Sequence, residues 1–116
     1  MGGCGDISFS GVHVWGSAEA LSNLLLSNPE TIKGRRVLEL GAGIGLPSLV
    51  ACFFASHVCM TERREELIEH FRENVRRNLP LIRRRRARDA SLRQEDFVTA
   101  QILRTYARGG DDAVSC

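Results

Sequence analysis

Val37-Leu38-Glu39-Leu40-Gly41-Ala42-Gly43-Ile44-Gly45-Leu46-Pro47 decides the fold of this 116-residue chain. Its first four residues are a short β-prone run. Three glycines follow at alternate positions, and Pro47 stands where a first helical turn accepts a residue without an N–H. A strand therefore hands over to a helix through a turn whose glycines lack a Cβ. The backbone there can approach a ligand closely, and the N–H groups opening the helix face the same space. Glu39 places a charge at the end of an otherwise apolar strand, which suits a role facing a positively charged ligand group.

Upstream, Ser17 is placed to cap a helix over 18–27 carrying Ala18, Leu21, Leu24 and Leu25, which Ser27-Asn28-Pro29 ends. Downstream, Leu49, Val50, Phe53 and Phe54 form the apolar stripe of a helix over 47–55, and His57-Val58-Cys59-Met60-Thr61 reads as a second strand. Leu67, Ile68, Phe71 and Val75 then keep one face of a helix over 64–78, with Glu73 paired to Arg77 on the wet side and Pro80 closing the helix. This order predicts a right-handed βαβ crossover and a parallel sheet: an α/β, Rossmann-like architecture.

Past residue 80 the pattern changes. Arg83-Arg84-Arg85-Arg86-Ala87-Arg88 carries five arginines in six positions. A nuclear-import or RNA-contacting patch is one reading, but no aromatic residues interleave with the run, and a solvated, poorly ordered segment is preferred. Ser91 and Gln94 have the form of a capping box, and Val98, Ile102, Leu103 and Tyr106 repeat at helical spacing, so a last helix over 92–108 is expected. Residues 12–80 thus form a Rossmann-like half and residues 81–116 a divergent basic segment.

Composition bounds the function. The chain has the size of one domain, and 43% hydrophobic with 26% charged residues is not the composition of a disordered segment. No apolar run approaches membrane-spanning length. A net charge of +2 is too small to indicate nucleic-acid binding. The charge is uneven: residues 1–78 hold 8 basic and 9 acidic side chains, residues 79–116 hold 8 and 5. Cys4, Cys52, Cys59 and Cys116 make no C-x-x-C pair, and His13, His57 and His70 match no ligand spacing, so neither a metal site nor a disulfide framework is expected. With no apolar signal region at the start, cytosol or nucleus is the expected compartment.

The spacing of the turn separates two ligand classes. A dinucleotide turn, G-x-G-x-x-G, would need glycine at position 46, where Leu46 stands. The pattern here is E-x-G-x-G-x-G, the turn typical of S-adenosylmethionine enzymes. An acid at the tip of the second strand, about 20 residues on, is then needed for the two ribose hydroxyls, and Glu62 lies 21 residues after Gly41. A carboxylate suits a vicinal diol because each oxygen can accept one O–H.

Val14-Trp15-Gly16-Ser17-Ala18, the run Gly34 to Pro47, Thr61-Glu62 and Asn74…Asn78 together resemble the methyltransferase-like protein lysine methyltransferases, a branch of the seven-strand class I S-adenosylmethionine-dependent enzymes. The resemblance covers about two thirds of the chain. It implies that Trp15 borders the cofactor pocket, that Gly41, Ala42 and Gly43 hold the methionine part, and that Glu62 holds the ribose, one methylene longer than the family's usual Asp. With Glu39 and Gly45, these are the candidate cofactor residues.

The family's Leu-Asp-Trp-Gly segment and its later Asp-x-x-Tyr type motif are absent, and Trp15 is the only tryptophan. The first strand is central in this fold, so an open edge is expected beside it. No catalytic residue is assigned. The resemblance implies an S-adenosylmethionine-dependent methyltransferase acting on a protein, with lysine as acceptor and activity reduced or lost in so short a form. The alternative is a non-catalytic binding protein derived from a methyltransferase, whose open edge is covered by a partner or a second copy.

Overall fold

The structure, a computed structural model, describes residues 16–93 and 95–102. Helix α1 (Gly16–Ser27) leads through a short 3-10 turn (Pro29–Thr31) into strand β1 (Arg36–Glu39). Helix α2 (Leu46–Ala51), strand β2 (His57–Glu62) and helix α3 (Glu65–Arg86) follow, and a second 3-10 turn (Ala90–Leu92) precedes strand β3 (Val98–Ile102). The sheet has the order β1-β2-β3 and is parallel throughout, with Leu38 opposite Cys59 and Cys59 opposite Thr99. The expected strand-helix-strand unit is therefore present. Helix α2 is shorter than the expected 47–55, its last residues forming a turn.

One face of the sheet makes the core. Val58 and Met60 are fully buried against Leu49 of α2 and Ile68 and Phe71 of α3, with Val37, Val98 and Ala100 packed at the margin. Leu38 points the other way and is 55% exposed, as alternation requires. Helix α1 packs on α2; Ser22 is buried and Ala18 and Leu25 are half-buried, while Leu21 and Leu24 of its apolar row are exposed. The helix already includes Ser17, so that residue lies inside the first turn and not ahead of it.

Three expectations are corrected. Pro80 does not end α3, which continues to Arg86. A proline removes one N–H and crowds one carbonyl, a local cost. The burial of Phe71, Val75, Asn78, Ile82 and Arg86 at steps of three and four residues holds the helix together on both sides of it.

The arginine run is accordingly not a loose segment: Arg83–Arg86 form the last turn of α3, where cations meet the negative end of the helix dipole. Arg86 is only 3% exposed. Its Nη1 donates to the carbonyls of Cys52 (2.9 Å) and Ala55 (2.6 Å) and its Nη2 to that of Ser56 (3.2 Å), and its guanidinium lies 4.3 Å from the Phe97 ring centre. One arginine thus satisfies carbonyls that the end of α2 leaves open.

The third correction concerns residues 98–102, which are a strand and not part of a helix. Val98 and Ile102 stand four apart, which fits a helix face, but they also fit the period of two. The β-branched Val98, Thr99 and Ile102 suit the free edge that β2 offers. Ser91 does not open a helix either. Asp89 caps the short 3-10 turn, accepting from the Ser91 N–H (2.9 Å) and hydroxyl (2.6 Å). Gln94 and residues 103–108 of the expected helix lie outside the described residues.

Smaller differences concern pairing. Glu73 bonds Arg76, not Arg77. Cys59 is disulfide-bonded, against the expectation drawn from cysteine spacing, whereas Cys52 is a buried free thiol that burial pushes up to about 12. Among the described residues β1 pairs only with β2, so the sheet ends at β1 as expected, and no helix is long and apolar enough to cross a membrane. At the other margin the Arg72 guanidinium donates to the Ala100 carbonyl of β3 (3.2 Å).

Candidate cofactor site

The glycine turn is stitched to the tip of β2. Thr61 donates its hydroxyl to the Glu39 carbonyl (2.7 Å), the Ala42 N–H donates to the Thr61 carbonyl (2.9 Å), and the Gly43 N–H donates to Glu62 Oε1 (3.0 Å). Glu39, Gly41, Ala42, Gly43 and Glu62 are thereby brought to one place, at the carboxyl ends of β1 and β2. Trp15 lies outside the described residues.

The three glycines do different work. All have positive φ, +62° at Gly41, +63° at Gly43 and +77° at Gly45, a region costly for residues with a Cβ. A Cβ built on Gly41 or Gly43 meets nothing within 4 Å, whereas one on Gly45 would lie 2.6 Å from Cδ1 of Phe71 and 3.4 Å from Cγ of Met60. Gly45 therefore serves helix packing, and Gly41 and Gly43 border open space. The sequence pattern grouped all three as ligand glycines, and the structure separates one from the others.

The two carboxylates also differ. Glu62 is 8% exposed and accepts three backbone N–H groups: Gly43 on Oε1, and Arg63 (2.7 Å) and Arg64 (2.9 Å) on Oε2. An ionised carboxylate has about four acceptor sites, so Oε2 is filled and Oε1 keeps room for one further donor. Glu39 accepts from the Ser48 hydroxyl at 2.5 Å. Burial holds its carboxyl above the ordinary glutamate range, with the Ser48 hydrogen bonds pulling the other way. No cation among the described residues pairs with it.

Ser48 and Thr61 also belong to this candidate site, and the sequence alone does not single them out. Both are essentially fully buried, at 1% and 0% exposed, in otherwise apolar segments. That setting was the available signal, since a buried hydroxyl must find a partner, and here the partners are the Glu39 side chain and carbonyl.

An S-adenosylmethionine molecule fits these residues: a cradle that a Cβ would fill, a half-buried carboxylate without a cation, and an acid at the next strand tip. Among the described residues no group of three His, Cys, Asp or Glu could hold a metal ion.

Comparison with known proteins agrees with the geometry. Residues 6–97 match the family described as lysine methyltransferase. The chain is 33% identical over 101 residues to protein N-lysine methyltransferase METTL21A of Danio rerio, covering 87% of this chain and 44% of the relative. It is 47% identical over 72 residues to the protein N-terminal and lysine N-methyltransferase EFM7 of Cryptococcus neoformans, covering 60% and 24%. Over 66 residues it is 36% identical to a calmodulin-lysine N-methyltransferase of Arabidopsis thaliana, covering 55% and 22%.

Among solved structures, a Pyrococcus horikoshii protein assigned as an RNA methyltransferase superposes with TM-score 0.54 at 22% identity, over 85% of this chain and 46% of that one, a likeness of fold alone. The chain spans less than half the length of these relatives. By its sequence match and its fold, it belongs to the lysine methyltransferase family.

Proposed function

We propose that this chain binds S-adenosylmethionine on the Gly41–Gly43 turn between Glu39 and Glu62, as the cofactor-holding half of a protein-lysine N-methyltransferase. The observation that carries this reading is the split among the glycines: Gly45 is occupied by the core, while Gly41 and Gly43 face open space beside a half-buried carboxylate without a cation. Bound S-adenosylmethionine would supply a methyl group on an already activated sulfonium. The chain's own residues bind and orient. Glu39, kept in place by Ser48, faces the cofactor's cationic amino-acid part, the open glycines give the backbone close approach, and Oε1 of Glu62 accepts a ribose hydroxyl while its other acceptors hold the turn to β2. Ala42 belongs to the same cradle. Transfer to a neutral amine needs position and desolvation more than covalent help. The partner is a protein substrate, and its acceptor site draws on elements beyond the described residues.

Titration calorimetry with S-adenosylmethionine tests this directly. Binding in the micromolar range, abolished by Gly43→Arg, is the expected outcome. A folded chain that takes up no heat, or a Gly43→Arg variant that binds as tightly, would overturn the reading.

Glu39 adds a pH test. Its folded-state pKa is raised. The stability it contributes is therefore complete below the unfolded glutamate value and is lost as pH rises past it. At pH 7, without cofactor, Glu39→Gln should melt at a higher temperature than wild type and bind S-adenosylmethionine more weakly. The gap in melting temperature should close as pH falls below about 4, where the wild-type carboxyl is protonated in both states. Equal melting temperatures across that range would show that burial of Glu39 costs nothing.

A further inference from the structure

At the opposite end of the sheet, the end of α3 and the segment leading into β3 border an open-sided pocket of about 380 Å³ lined by Arg83, Arg86, Ala87, Leu92, Arg93, Glu95 and Phe97. The proposed cofactor site does not reach it. Phe97 precedes Val98, the partner of Val58 at the start of β2, and Glu62 lies four residues on, about 13 Å at strand spacing.

Three arginines against one glutamate leave this lining two positive charges in excess. One of them is unusual. Arg86 is 97% buried by its 3% exposure, spends three N–H groups on the carbonyls behind it, and keeps its Nε without a hydrogen-bond partner among the described residues. These bonds and the Phe97 ring hold the guanidinium in place, so its charge is fixed at the lining. Leu92 and Phe97, 2% and 5% exposed, form an apolar wall beside it.

We infer that this pocket is a binding site for a phosphate monoester, held by Arg83, Arg86 and Arg93 with its carbon part against Ala87, Leu92 and Phe97. A phosphate dianion matches the excess charge, whereas a carboxylate leaves half of it unanswered. Planar guanidinium groups match phosphate oxygens two at a time. The volume exceeds that of a bare phosphate, which is why an ester with an apolar body is the ligand class. The ester can be a free small molecule or a phosphorylated side chain of a partner protein, since both present the same group.

Calorimetry on the full chain at constant ionic strength tests this with phenyl phosphate as probe and phenyl sulfate as its singly charged control. Phenyl phosphate should bind, and at least tenfold more tightly than the sulfate. The double variant Arg83→Gln/Arg93→Gln removes two exposed arginines from the lining and should weaken phenyl phosphate at least tenfold while leaving helix content and unliganded melting temperature unchanged. Arg84→Gln/Arg88→Gln removes the same charge from exposed positions outside the lining and should leave binding intact.

Equal loss in the two double variants, equal affinity for the sulfate, or no binding by the folded chain would each overturn the inference. A phosphoserine peptide that displaces phenyl phosphate, when its unphosphorylated form does not, would place the ester on a protein, and failure of the peptide beside binding of phenyl phosphate would place it on a small molecule. Gly43→Arg should bind phenyl phosphate as wild type does, which separates this site from the cofactor reading.

Discussion

Replacing Arg86 by methionine should cost about 3–5 kcal/mol of folding stability, the range for breaking one side of a buried charged hydrogen-bonding set. Methionine keeps an apolar stem beside Phe97 but leaves the carbonyls of Cys52, Ala55 and Ser56 buried without their donor. Each such group carries a penalty of about 1–3 kcal/mol. A domain of this size holds about 5–15 kcal/mol in total, so the variant should unfold at a much lower urea concentration. Arg86→Lys should recover part of the loss, because an ammonium donates to one or two carbonyls but lacks the planar fork and the stacking face. Arg84→Gln, exposed and one residue before Arg85, should change stability by no more than about 0.5 kcal/mol. If Arg86→Met and Arg84→Gln shifted the urea midpoint equally, the cap that Arg86 places on the end of α2 would contribute nothing to stability.

The second large effect is expected from a single methyl group at Gly45. Alanine there must adopt a φ of +77° and put its Cβ 2.6 Å from a Phe71 ring that is itself 1% exposed and packed in the core. The left-handed backbone costs about 1–2 kcal/mol. Overpacking adds about 1–3 kcal/mol, since the ring cannot swing away without disturbing Met60 and Ile68. Gly43→Ala bears only the first of these costs, because nothing lies within 4 Å of its Cβ. Thermal melts should therefore show Gly43→Ala several degrees below wild type and Gly45→Ala much further below. Cofactor titration should show the reverse order of importance, with Gly43→Ala folded but impaired. A Gly45→Ala variant as stable as Gly43→Ala would mean that the approach of Phe71 to the turn is looser than the structure has it.

Much of the fold and site follows from local chemistry. Val37–Leu40, the glycines, Pro47 and the apolar run 57–61 are each strong short-range signals, and their order admits little besides a parallel βαβ unit. Glu62 ends β2 at the distance from Gly41 that the length of one helix and one strand sets. Such signals depend on residues near one another in the chain, and the folded protein kept them.

Where tertiary contacts outweigh local preference, the fold departs from what local sequence predicts. Pro80 is a helix breaker by itself, yet Ile82 and Arg86 lock the turn beyond it. Val98 and Ile102 fit two periods, and the free edge of β2, invisible in a linear sequence, chose the strand. Six charged or small residues at 83–88 read as a wet surface because the three carbonyls that Arg86 serves lie 30 to 34 residues away. The division among the glycines has the same origin. Sequence spacing places Gly41, Gly43 and Gly45 in one turn, but only the packing of Phe71 against that turn determines which of them borders open space and which borders the core. Local conformational preference follows from covalent geometry and needs no partner, whereas burial is a property of pairs of segments and exists only once the chain has brought them together.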